Sequence, residues 1–178
     1  MRAGAIMSRI HGFIKNTLSH IEWVQINDVV HEVISLTHGE AEKQRVSVQT
    51  RLEESLPAIQ GDRVQLQQVM MNLTINAIEA MGTVDRERTL TISSDRDDSG
   101  DLVIKVCDSG PRFCPEVAER LFESLYTTKM AGLGMGLSIC RSIVEAHQGK
   151  LHATANSPFG SVFLFNLPVH ASDISDRQ

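Results

Sequence analysis

Two asparagines, Asn72 and Asn76, lie four residues apart in the stretch 65–81, QLQQVMMNLTINAIEAM. Four residues is about one helical turn, so both amides fall on one side of a helix. Gln65, Gln68 and Glu79 extend them into a narrow polar stripe. At 100° per residue, Leu66, Val69, Met70, Leu73, Ala77, Ala80 and Met81 share an apolar stripe, with Met71, Ile75 and Ile78 on other sides. A helix this apolar should be largely buried. An Asn amide buried without partners costs on the order of 1–3 kcal/mol. The stripe is therefore either solvated on a half-exposed helix or aimed at a bound polar ligand.

Three later stretches carry further chemistry. Cys107-Asp108-Ser109-Gly110 stands where a strand runs into a loop. An aspartate there can accept a hydrogen bond from an amine, such as the amino group of adenine. Gly110 lets the backbone approach a flat ring. Alone, Asp-x-Gly is an ordinary turn. Leu121-Phe122-Glu123-Ser124-Leu125-Tyr126-Thr127-Thr128-Lys129 offers aromatic anchors for a loop and, in Lys129, a cation for a phosphate; the plain alternative is a helix end with a solvated lysine. Gly132-Leu133-Gly134-Met135-Gly136-Leu137 immediately precedes a helix. Its glycines free backbone amides, and the helix start adds N–H groups and a positive dipole end, which suits phosphates. A dinucleotide fold would place such glycines after its first strand. Here they come late and between helices, which excludes that fold.

The elements that must position these residues are readable in order. Residues 6–20 carry Ile6, Ile10, Phe13, Ile14 and Leu18 at helical spacing. Residues 22–26 read as a short strand anchored by Trp23. Asn27 and Asp28 are N-cap types and open a helix to about Gln44. Val46, Val48 and Leu52 alternate as a strand. Pro57 and Gly61 punctuate a short connection, and Asp62 caps the central helix. A polar loop spans 82–88. Leu90 and Ile92 belong to a strand that turns at 97–101, DDSGD, into a second strand over 102–107. Pro115 opens a helix to about Phe122. A helix from the glycine-rich stretch to about His147 ends at Gly149. Strands at 151–155 and 161–167 close the chain, and the tail from Ala171 reads as disordered. Helices and antiparallel strands mix without βαβ alternation. The expected fold is α+β, a two-layer sandwich of one mixed sheet with helices on one face.

Composition narrows the function classes. The chain has 178 residues, enough for one domain with a real core. Its net charge of −5 gives no basic footprint for nucleic acid. Cys107, Cys114 and Cys140 are odd in number and lack metal spacing, which fits buried thiols in a reducing compartment. No apolar run approaches the roughly 20 residues of a membrane span. A cytoplasmic location and no membrane contact are expected for this segment, with an anchor elsewhere in a longer parent protein left open.

Taken in order, these stretches resemble the catalytic, ATP-binding domain of two-component sensor histidine kinases, within the gyrase, Hsp90, histidine kinase and MutL ATPase superfamily. Gln68-x3-Asn72-x3-Asn76-Ala77-x-Glu79-Ala80-Met81 resembles the N box. Asp108-Ser109-Gly110 resembles the G1 box, Leu121-Phe122-Glu123 to Thr127-Thr128-Lys129 the F box, and Gly132-x-Gly134-x-Gly136-Leu137 the G2 box. Gly160-Ser161-x-Phe163 to Leu167-Pro168 resembles the closing strand. Each box is weak alone; five in order are specific. The resemblance covers 23–170. It implies a Bergerat-type ATP-binding fold, with residues 1–22 as the end of a dimerisation hairpin helix plus linker.

The resemblance also implies roles. Asn76 would give an amide oxygen to Mg²⁺ bridging the ATP phosphates, and Asn72 would bond a phosphate or a metal-bound water. Asp108 would read adenine beside Gly110. Lys129 and the segment up to Gly132 would cover the phosphates. Gly134, Gly136 and Leu137 would donate amides, and Glu79 and Ser161 complete the nucleotide-binding set. In related ATPases the position of Asn72 holds a water-activating Glu. An amide is a poor base, which agrees with transfer to a protein histidine over hydrolysis. The implied partners are ATP, a histidine-bearing dimerisation domain and a response regulator receiver domain.

Two departures stand out. The family continues its G1 box as Gly-Pro-Gly, whereas this chain has Gly110-Pro111-Arg112. A positive φ at that position would strain Arg112; bulk there would block the site, and its guanidinium could alternatively reach a phosphate. The phosphoacceptor motif is also missing. His31-Glu32 fits superficially, but no Pro follows and it falls inside the first helix of the ATP-binding domain. His11 and His20 lack the motif, and the remaining histidines are expected at the surface. The expected function is therefore phosphoryl transfer from Mg-ATP to a histidine on another domain. The alternatives are a degenerate nucleotide-binding module that engages partners without turnover, and a serine kinase of the same superfamily.

Overall fold

The computed structural model describes residues 20–118, 120–123 and 135–169. Among these, seven strands and four helices follow in the order β1 (Ile21–Val24), α1 (Ile26–Lys43), β2 (Ser47–Leu52), β3 (Ile59–Asp62), α2 (Arg63–Met81), β4 (Thr89–Arg96), β5 (Leu102–Asp108), α3 (Pro115–Ala118), α4 (Gly136–Ala146), β6 (Lys150–Ala155) and β7 (Ser161–Leu167), with a 3₁₀ turn over Arg120–Phe122.

β2, β4, β5, β7 and β6 form one sheet in that spatial order. β2 lies parallel to β4, with Val48 opposite Leu90; the remaining pairs are antiparallel. The alternation in β4, β5 and β7 turns Leu90, Ile92, Leu102, Ile104, Val106, Phe163, Phe165 and Leu167 inward. Helices cover that face, giving the α+β two-layer architecture expected. One element differs. Residues 59–62 are not a plain connection: they form β3, which pairs antiparallel with β1 as a separate two-stranded ribbon. Four residues containing a glycine carry too little periodicity to stand out from a turn.

α2 is the spine of the helical layer. Asp62 caps it, accepting a hydrogen bond from the Gln65 N–H at 3.0 Å. Leu66, Val69, Met70, Leu73, Ala77, Ile78 and Met81 are buried, each of the larger ones contributing about 1.5–3 kcal/mol of transfer free energy. α1 packs alongside it in the same direction. Glu32 meets Arg63 at 2.6 Å and Gln67 at 3.3 Å near the start of α2, while Gln44 lies against Gly82 at its end. The N-cap of α1 is Gln25, with no side-chain cap. Asn27, the expected cap, is used elsewhere: its amide nitrogen donates to the Glu53 carbonyl at 2.8 Å and its oxygen accepts from the Ser94 hydroxyl at 2.7 Å. It ties α1 to the sheet.

α1 and α4 end in the same way. Arg45 N–H bonds to Glu42 O and Val46 N–H to Ala41 O; Gln148 N–H bonds to Glu145 O and Gly149 N–H to Val144 O. These paired bonds are Schellman motifs, which need a left-handed residue just past the helix. Arg45 (φ 55°) and Gln148 (φ 61°) occupy it. Gly149, expected as the stop signal of α4, is one residue too late for that role. It is a glycine because a Cβ there would run into the Asn166 carbonyl oxygen on β7.

Candidate nucleotide site

The polar stripe of α2 points away from α1. Gln67, which meets Glu32, and Asn72 are separated by about 140° around the helix. Asn72 and Asn76 are half-buried on the flank that faces α4. The Asn72 amide nitrogen donates to Cys140 Sγ at 3.6 Å, a weak contact that joins the two helices. Cys140 is fully buried, and burial pushes its thiol up to about 12, so it is a neutral packing residue. Glu79 is exposed near the end of α2.

Asp108 closes β5. It is 2% exposed, yet its carboxylate accepts from the Gly110 N–H at 2.7 Å, and the polar groups of Ser161 on β7 also favour its charged form. Burial raises its pKa to about 6, and these hydrogen bonds work in the opposite direction. Gly110 is tucked between this carboxylate and the end of α2. A Cβ on it would meet Asp108 Oδ1 at 2.8 Å and the Ala80–Met81 backbone at 3.4 Å. The Asp108–Gly110 turn is thus packed on the last turn of α2. From Ala80, Asn76 lies about 6 Å and Asn72 about 12 Å back along the helix axis. A ligand with an amine at one end and phosphates at the other matches that layout.

The start of α4 borders the same flank of α2. Its N-cap, Met135, has no capping side-chain bond, and among the described residues a Cβ on Gly136 would meet nothing within 4 Å. The amides of Gly136 and Leu137 therefore open an uncapped, electropositive helix start. Phe122, of the aromatic stretch, is buried edge-on to Phe163 of β7 with centroids 6.4 Å apart, and Arg141 of α4 stacks over it at 5.3 Å. Lys129, Gly132 and Gly134 lie outside the described residues, as do the expectations for residues 1–19 and for the tail from Ala171.

Arg112 is exposed, and among the described residues the positive-φ positions other than glycine are Arg45 and Gln148, so the G1-like turn is not strained by its arginine. His31 is exposed on α1. The expectation that the other histidines are simply surface residues fails at His147. Its Nε2 accepts from the Asp62 N–H at 2.9 Å and its Nδ1 meets the Ile143 carbonyl at 2.8 Å, so the Nδ1-protonated neutral ring bridges α4 to the start of α2. Sequence reasoning also misses Arg86, Asn156 and Phe159. Arg86 and Asn156 reach the Asp108–Gly110 turn from distant loops, Phe159 carries the Arg86 guanidinium, and no local pattern marks them.

Residues 61–171 match the family model described as "Histidine kinase-, DNA gyrase B-, and HSP90-like ATPase". The C4-dicarboxylate transport sensor protein DctS of Rhodobacter capsulatus is 37% identical over 169 residues, covering 94% of this chain and 26% of the relative. The chain thus spans about a quarter of that relative's length. Among solved structures, the catalytic domain of histidine kinase ThkA is 32% identical with a TM-score of 0.74, covering 84% of this chain and 95% of that one. ThkA in complex with the response regulator protein TrrA gives 30% identity and a TM-score of 0.75, covering 94% of this chain and 47% of the kinase. This chain belongs to the histidine kinase-, DNA gyrase B- and HSP90-like ATPase family, as an ATP-binding catalytic domain of the histidine kinase type.

Proposed function

We propose that the domain binds Mg-ATP along α2 and donates the γ-phosphoryl group to a histidine on a dimerisation domain, for relay to a response regulator. One observation carries this reading: a buried carboxylate, Asp108, is packed at the end of a helix that presents two amides one and two turns back along its axis. Adenine would lie at Asp108, its amino group donating to the carboxylate. The phosphates would lie by Asn72, Asn76 and the start of α4. The likeness to a kinase seen with its response regulator supports the relay.

The donor set suits Mg²⁺. Among the described residues no three His, Cys, Asp or Glu side chains converge on a metal site. Mg²⁺ accepts this, because it keeps waters and substrate phosphates as ligands and needs few protein oxygens. Asn76 would supply one amide oxygen. When bound, the ion neutralises phosphate charge. The protein's own part is positioning. Asn72 orients the phosphates, the amides of Gly136 and Leu137 bind them, and no carboxylate at Asn72 activates water. By their sequence motifs Lys129, Gly132 and Gly134 would add to the phosphate cover, and Glu79 and Ser161 would complete the nucleotide-binding set.

The test is calorimetry of Asn76→Ala with ATP, with and without Mg²⁺, followed by transfer to a supplied histidine-bearing hairpin domain. Asn76→Ala should lose the Mg²⁺-dependent part of ATP binding while keeping its fold. Unchanged affinity in Mg²⁺ would remove Asn76 from the metal. Binding by the unaltered chain without transfer to any hairpin would leave a nucleotide-binding module in place of a kinase.

A further inference from the structure

Arg86 belongs to the 82–88 loop between α2 and β4, and its side chain reaches the Asp108–Gly110 turn. The guanidinium donates to the Ser109 carbonyl from Nε at 3.2 Å and from Nη2 at 3.0 Å, and to the Gly110 carbonyl from Nη2 at 2.7 Å. The same group sits over the ring of Phe159, 4.1 Å from its centroid. Phe159 is 48% exposed and lies between β6 and β7.

That second loop is fastened to the same turn independently. The Asn156 amide nitrogen donates to the Asp108 carbonyl at 3.3 Å. Gly160, at φ 90°, packs so closely on the Asp108 carbonyl that a Cβ has no room. Arg86 and Phe159 thus join two loops far apart in sequence across the turn that carries the buried carboxylate. The arrangement depends on guanidinium chemistry. A planar fork can donate to successive carbonyls while its face rests on a ring. An ammonium is a point charge and cannot do both.

We propose that Arg86, seated on Phe159, is the positioning residue that sets base discrimination at this site. The inference rests on the nucleotide reading above and deepens it. Asp108 can read an amine only if the Ser109–Gly110 backbone holds the carboxylate at one depth. Arg86 fixes that backbone from outside, acting through the turn. Without it the turn loosens, and the carboxylate no longer meets the exocyclic amine at bonding distance. The phosphates, held by other elements, stay bound as before.

The test compares Mg-ATP with Mg-ITP, whose base has a carbonyl where adenine has its amine, by calorimetry on the full chain. The unaltered protein should favour ATP. Arg86→Ala should weaken ATP by about tenfold and leave ITP nearly unchanged, so that the ratio falls by the same factor. Arg86→Lys, which keeps the charge and loses the fork, should restore only part of the ratio. Phe159→Leu should lower it as well, and carries the test alone if Arg86→Ala does not fold. An Arg86→Ala protein with the original ATP-to-ITP ratio, or with both nucleotides weakened equally, would overturn the proposal. So would full rescue by Arg86→Lys. If the unaltered protein shows no preference for ATP, the reading of Asp108 fails first and this inference falls with it.

Discussion

A carboxylate that is almost fully buried and still accepts a 2.7 Å hydrogen bond from a backbone N–H has a double character. Burial raises the pKa of Asp108 from 3.8 to about 6. Its proton is therefore held more tightly in the folded state than in the unfolded one. The stability this provides is complete below about pH 4 and is lost as pH rises through about 6. The amount is on the order of 3 kcal/mol. At neutral pH the domain holds an ionised group at a cost, which adenine's amine would offset under the proposed reading. Asp108→Asn should then separate stability from function. At pH 7 the free variant should be at least as stable as the original, because an amide oxygen still accepts from the Gly110 N–H and no charge is buried. Its stability should also flatten between pH 4 and 6. Its affinity for ATP should drop by about ten- to hundredfold, the cost of a charge-assisted bond of roughly 1.5–3 kcal/mol. In the original protein, ATP affinity should rise with pH from 5 to 7. Denaturant titrations and calorimetry at several pH values check each part. Equal losses of stability and affinity would count against the assignment.

At the scale of elements, strong local signals translate directly and weak ones do not. The Asp62 cap, the 3.6-residue periodicity of α2 and the turn at 97–101 are carried by neighbouring residues, so they are legible in the sequence. β3 and the Gln25 start of α1 are not, because pairing with β1 and the reach of Asn27 to Glu53 and Ser94 are tertiary facts. The site divides in the same way. Asn72, Asn76, Asp108 and Gly110 sit in compact motifs. Arg86, Asn156 and Phe159 are assembled from separate loops and leave no spacing to read. The end of α4 shows how two neighbouring positions trade roles. Gln148 takes the left-handed conformation, which costs a side-chain residue roughly 1–2 kcal/mol, while glycine would cost about 0.5–1 kcal/mol in entropy. Gln148→Gly should therefore stabilise the domain by about 0.5–1 kcal/mol. Gly149→Ala should destabilise it by about 2–3 kcal/mol, since the Asn166 carbonyl is fixed in the sheet and cannot give way. Urea midpoints of the two variants, read at constant m-value, test the opposite signs.

The whole molecule has a polarity that bears on where the phosphoryl group can go. α2 separates two flanks. One holds α1, tied through Glu32 to Arg63 and Gln67; the other holds Asn72, Asn76, Cys140 and the start of α4. His31, with the superficially fitting His-Glu pair, is exposed on α1 and belongs to the first flank. A phosphoryl group positioned by Asn72 and Asn76 would have to cross the body of α2 to reach it. In-line transfer needs reacting atoms about 3–3.5 Å apart, and no side-chain rotation spans a helix diameter of about 10–12 Å. A second molecule could present its own His31 to the site only by docking the middle of α1 there. The inner face of that helix is committed to the core through Ile26, Val29, Val30, Val33 and Ala41, so only its outer face could dock. Incubation of this chain with labelled Mg-ATP should accordingly leave His31 without acid-labile phosphate, and His31→Gln should transfer to an added hairpin domain at the original rate. Label recovered on a His31 peptide would mean that the outer face of α1 docks at the site of a second molecule, and would place the acceptor inside this domain.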